Sequence, residues 1–230
     1  MGVIYVVRHG QAAFGTENYD QLTQIGFTQS RLLGAYFAKR KIHFDAVFTG
    51  TLRRQGETAD AILESHPQLA ASCREIIPGL DEYKPEAILM ALTGELPALG
   101  VPAAARRDPL VVREHFRLLR EALLAWAEGR TQPVDMLPFG EFQDAAVGAL
   151  VEARQRFADG NVLVVSSGGA IGAMVAQVLN APAATAVELN LRIRNSSLTE
   201  FASTPRRHHL VSFNGLPHLD GGDPTLMTYA

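Results

Sequence analysis

The chain has 230 residues, 47% hydrophobic and 20% charged, with a formal net charge of −3. That balance supports a sizeable core and excludes disorder, and the interspersed signs exclude the basic footprint of a nucleic-acid binder. The single cysteine, Cys73, excludes an internal disulfide, and no apolar run is long enough for a signal segment or a bilayer span, so a cytoplasmic, non-membrane protein is expected.

Val3 to Val7 is a short β-branched run, the pattern of a strand buried on both faces. Thr23 is placed to cap a helix running to about Lys39, with Ile25, Leu32, Leu33, Tyr36 and Phe37 on one face. Asp45 to Thr49 reads as a second strand, Leu52 to Glu64 as a second helix, and Glu75 to Ile77 as a third strand closed by Pro78-Gly79. Turn residues dominate from Leu92 to Pro109, including the loop-like run Ala103-Ala104-Ala105-Arg106-Arg107. Two amphipathic helices follow, the first lined by Leu119, Leu123 and Trp126, the second by Phe142, Ala146, Leu150 and Phe157. Val162 to Ser166 is the strongest central strand, and Gly169 to Leu179 is the helix after it; Leu198 to Phe201 and His209 to Phe213 are late strands. Alternating strands and helices predict an α/β three-layer sandwich, a mostly parallel sheet with helices on both faces. Residues 92–144 read as a helical insertion over one edge of a single domain spanning 1–230.

Three strands end in polar turns: Arg8-His9-Gly10-Gln11, Thr49-Gly50-Thr51-Leu52-Arg53-Arg54 and Ser166-Ser167-Gly168-Gly169. In an open α/β sheet, ligands bind outside the carboxyl ends of strands, so these turns are expected to meet in one crevice. Arginines beside glycines and a helix start suit a phosphate, which needs forked donors, close backbone approach and a favourable dipole. With a net charge of −3, an anionic small molecule must be held by such local arginines. A histidine there can act as base, nucleophile or hydrogen-bond donor.

Arg8-His9-Gly10-Gln11 resembles the opening motif of the histidine phosphatase superfamily, the phosphoglycerate-mutase-like group. Further stretches resemble it in order: Leu22-Thr23-x-x-Gly26-x-x-Gln29, Thr49 to Ala59, Leu80-Asp81-Glu82, and Asn195 to Thr199. The resemblance implies a phosphomonoester phosphatase. His9 would take the phosphoryl group, Arg8 and Arg54 would hold its equatorial oxygens, and Glu82 would handle the leaving-group proton, with Glu141 a rival acid. Gln11, Ser167 and Gly168 complete the expected phosphate cradle. A small phosphorylated substrate is implied, with no cofactor and no metal. The chain departs from the family at Ser167, where the motif carries a second histidine. Gly15 and Gly140-Glu141-Phe142 are smaller departures. Serine donates a hydrogen bond but carries no charge, and losing one preorganised donor typically costs about 10²–10³ in turnover. A slow phosphatase is expected, with a phospho-ligand binder of the same fold as the alternative. Gly168-Gly169-Ala170-Ile171-Gly172 after a strand also admits a weaker dinucleotide reading. His208, His209 and His218 are other candidate sources of an imidazole.

Overall fold

A computed structural model describes residues 2–13, 20–65, 73–95 and 109–229. Gly15 and the run Ala103 to Arg107, with most of the loop expected between Leu92 and Pro109, lie outside the described residues.

The central sheet is built from β1 (Gly2–Arg8), β2 (Ala46–Thr49), β3 (Arg74–Ile76), β4 (Asn161–Ser166), β5 (Leu198–Ser203) and β6 (His208–Gly215), in the order β3-β2-β4-β1-β5-β6. The first four strands of that order run parallel, while β5 lies antiparallel to β1 and β6 antiparallel to β5. The sheet is therefore mixed, with a two-strand antiparallel edge that the alternating pattern did not reveal. For β6 the reason is local: it is joined to β5 by a short hairpin loop, with no crossover helix to return the chain for parallel pairing.

Alternation along the strands sorts the core into two layers. Ile4, Val6, Ala46, Phe48, Val162 and Val164 face α5 (Phe139–Arg156) and α6 (Gly168–Val178). Val7, Val47, Leu163 and Val165 face α1 (Gln24–Lys39) and α2 (Arg53–Glu64) through Leu33, Phe37, Ala59 and Ile62. Thr23 caps α1 as expected, its side chain accepting from the Gly26 N–H. The buried face of that helix is narrower in apolar residues than the sequence suggests. Leu32 is exposed, and Gly26, Gln29 and Ser30 are buried beside Leu33 and Phe37.

Two helices went unread in the sequence, α3 (Pro85–Thr93) and α7 (Ala183–Asn190). α3 opens on Pro85 and α7 follows Pro182 at its N-cap, and both pack with α4 (Pro109–Ala127) into a third apolar cluster around Trp126. Among the described residues no helix is long and apolar enough to cross a membrane.

The connection leaving β1 passes over one face through α1, and the one leaving β4 over the other face through α6. These strands are neighbours, with Arg8 opposite Ser166. Chains departing to opposite faces leave a crevice at the carboxyl ends of β1 and β4.

Candidate active site

His9 follows β1 directly, and its backbone N–H donates to the Ser166 carbonyl at 2.9 Å. The side chain is 3% exposed. Its Nδ1 lies 2.8 Å from the Gly10 carbonyl, which can only accept, so Nδ1 carries the proton. On the other side of the ring, Arg54 Nε can only donate, and it stands 3.2 Å from Nε2. Both neighbours demand the same tautomer, with the Nε2 lone pair turned toward Arg54. Burial, then the charges of Arg54 and Arg8, hold the imidazole pKa well below its ordinary value, so the ring stays neutral.

Arg54, in the first turn of α2, is 5% exposed, and its Nη1 pairs with Asp20 at 2.7 Å. Asp20 also accepts from the Arg53 N–H at 2.8 Å, so one carboxylate both closes the start of α2 and braces the buried guanidinium. Arg53, one position away, points outward to Glu57 at 2.6 Å, which is why the two adjacent arginines differ in use. Arg8, the last residue of β1, donates through Nη1 to the carbonyls of Ile193 and Tyr229.

Glu82 follows a 3-10 turn at Pro78–Leu80. Its carboxylate accepts from the Gly169 N–H at 3.0 and 3.1 Å and from the Tyr83 N–H at 3.1 Å. Burial raises its pKa, against the opposing pull of the Gly169 N–H, Arg54 and Arg8. His9 and Glu82 both feel the same two guanidinium groups, so the four side chains form one electrostatic cluster. Glu141 is exposed in the first turn of α5 and is not among the groups that bias His9.

Ser167 caps α6 by position and is fully buried. Its Oγ accepts from Gln55 Nε2 at 2.9 Å, and the same amide donates to the Leu80 carbonyl at 2.9 Å. Gly168 opens α6, and a Cβ there would fall 2.5 Å from Asn190 Oδ1. At Gly169 a Cβ would fall 2.2 Å from Glu82 Oε1. The glycines thus serve the approach of these side chains. The N–H that a dinucleotide pyrophosphate would need is taken by Glu82, which removes the basis of that reading. Gln11 turns its Oε1 to the Thr23 hydroxyl at 2.8 Å, toward the cap of α1.

The sequence reading missed Asp20 and Gln55. Asp20 sits in a connection with no periodic signal. Gln55 lies inside a quoted motif, but only the packing of α2 against Leu80 and Ser167 gives it a task. Of the other candidate imidazoles, His208 bonds Ser203, which pairs with Gly2 at the opposite end of β1, and His209 neighbours it. His218 bonds Ser196 Oγ at 2.9 Å, and the Ser196 N–H donates to the His9 carbonyl at 3.2 Å. Among the described residues no cluster of three or more metal-ligating side chains occurs.

A family model described as the histidine phosphatase superfamily (branch 1) matches residues 4–94 and 108–215. Curated protein sequences give no significant match. Among solved structures, YhfR of Bacillus stearothermophilus is 18% identical with a TM-score of 0.69, covering 96% of this chain and 100% of that one. Phosphoserine phosphatase of Entamoeba histolytica, solved with 3-phosphoglyceric acid, is 18% identical with a TM-score of 0.65 (95% and 100% covered). Phosphoglycerate mutase of Bacillus anthracis is 18% identical with a TM-score of 0.60, covering 94% of each chain. At these identities the likeness establishes a shared fold.

Proposed function

This chain belongs to the histidine phosphatase superfamily, and from that premise we propose that it hydrolyses a phosphomonoester through a phosphohistidine on His9, without a metal. The observation that supports this reading best is the His9 ring, neutral and buried, with the Nε2 lone pair set against the Arg54 guanidinium.

Nε2 attacks phosphorus as the bond to the leaving oxygen breaks. Arg54 and Arg8 take the charge spread over the equatorial oxygens. Glu82, its pKa raised by burial, is the group that gives a proton to the leaving oxygen, releasing an alcohol. As a carboxylate it then takes a proton from water, whose oxygen attacks phosphorus while the N–P bond breaks and phosphate leaves. Ser167 adds a neutral donor, its proton uncommitted because Gln55 fills only its acceptor side. The positive charge comes from the two arginines.

The competing reading is a protein of the same fold that binds a phosphorylated ligand without turnover. It is favoured by the neutral hydroxyl at Ser167. One experiment separates the two. Rapid quenching with 4-nitrophenyl phosphate should yield an acid-labile phosphoryl adduct on the peptide containing His9. His9→Ala should lose both the adduct and turnover, the latter by about 10³-fold or more. Unchanged turnover in His9→Ala would sink the mechanism. Phosphate binding with neither adduct nor turnover in the native protein would establish the binder.

A further inference from the structure

A cavity of about 560 Å³ is lined in part by Arg8 and Glu82, two members of the His9 cluster. That volume lies within the range of sites that enclose ligands of drug size. It far exceeds what a phosphoryl group and a three-carbon leaving group fill. Its position matters as much as its size. In the proposed mechanism Glu82 reaches the leaving oxygen, so the space beyond Glu82 belongs to the alcohol.

The walls of this space are mainly apolar. Tyr83, Phe116, Leu119 and Leu191 come from the stretch before α3, from α4 and from the end of α7. Arg192 and Arg194 also line it, on either side of Ile193, whose carbonyl accepts from Arg8 Nη1, and Glu82 is the only carboxylate among the described lining residues. Arg194 is anchored, its Nη2 donating to the Asn214 carbonyl at 2.5 Å and its backbone N–H to Asn214 Oδ1 at 2.8 Å. Arg192 is exposed, and none of the described ion pairs includes it. His115, also on the wall, is kept toward its neutral form by burial and adds little charge.

We propose that the monoester recognised here carries a large, partly apolar leaving group bearing a second anionic group, which Arg192 and Arg194 receive. This rests on the phosphatase reading of the His9 site for its direction, since the phosphate end is placed by His9 and the alcohol by Glu82. A small phosphorylated hydroxyacid would seat its phosphate and leave most of the apolar wall in contact with water. A long ligand covers that wall and brings its anion to the arginines, where a bidentate contact is available.

The test does not require turnover. Binding of three non-hydrolysable phosphonates is measured by calorimetry: methylphosphonate, 4-(2-carbamoylethyl)benzylphosphonate, and the matching 4-(2-carboxyethyl)benzylphosphonate. The benzyl amide should bind about tenfold tighter than methylphosphonate through the apolar wall. The acid should bind about tenfold tighter than the amide through the arginines. In Arg192→Gln the acid-to-amide ratio should fall toward one. Equal affinities of acid and amide in the native protein would overturn the anionic subsite. Equal affinities of amide and methylphosphonate would overturn the apolar one. If the ratios hold but no His9 adduct forms, the ligand class stands and the phosphatase reading fails.

Discussion

At Ser167 the family resemblance implies an imidazole, and simple restoration of that ring would be the natural repair. The structure argues otherwise. Ser167 is fully buried, and Gln55, itself buried, places its amide 2.9 Å from the hydroxyl. An imidazole at 167 must push into the volume this amide fills, and overpacking a tight site costs typically about 1–3 kcal/mol. Ser167→His alone should therefore lower both the melting temperature and any phosphatase rate. Pairing it with Gln55→Ala, which vacates the space, should recover stability and raise the rate by about 10²-fold, the worth of one preorganised donor. Kinetics and thermal melts on the two variants check this. A rate gain in the single variant equal to that in the double would show that the glutamine is no obstacle. Residue identity at 167 was legible in the sequence; the residue coupled to it was not, because positions 55 and 167 meet only across the fold.

Among the elements, α2 shows how one loop residue can serve both stability and chemistry. Leu52 occupies the N-cap position and has no side chain able to cap, so Asp20 reaches in from another segment to accept from the Arg53 N–H. The same carboxylate braces Arg54, the cation in contact with His9. The two tasks separate by substitution. Asp20→Ala removes an acceptor and should cost about 1 kcal/mol of stability, seen by denaturant unfolding. Asp20→Asn keeps an acceptor, so its stability should stay close to native. It also loses the charge that orients Arg54, so kcat should fall by about tenfold through misplacement. KM should change less, because the loosened guanidinium is offset by the lost repulsion of phosphate. A larger change in KM than in kcat would argue against an orienting role.

Over the whole molecule, His208 and His218, far apart in the fold, contribute to the response to acid. Burial, with added repulsion from Arg154 and His209, pushes His208 down to about 4, and burial alone pushes His218 down to about 4. His9 is depressed in the same direction. In the unfolded chain such groups take up protons below their ordinary value of 6.5. The folded state resists that protonation, so the unfolded state binds more protons and stability falls as pH falls. The contribution is fully present above pH 6.5 and is lost as the pH drops toward about 4. Melting temperature should decline across that window, and His218→Gln should flatten the decline while keeping a partner for Ser196. An unchanged slope in that variant would show that His218 titrates normally in the folded protein.

The sequence by itself determined the strands, the helix capped by Thr23 and the two-faced core. These follow from periodicity and capping chemistry, which act over short stretches of chain. Tertiary structure alone decided the antiparallel edge, the helices α3 and α7, the Asp20 brace, the Gln55–Ser167 pair and the cavity beyond Glu82. Each of those depends on groups brought together from separate segments, and their energies come from packing and desolvation that no local pattern encodes.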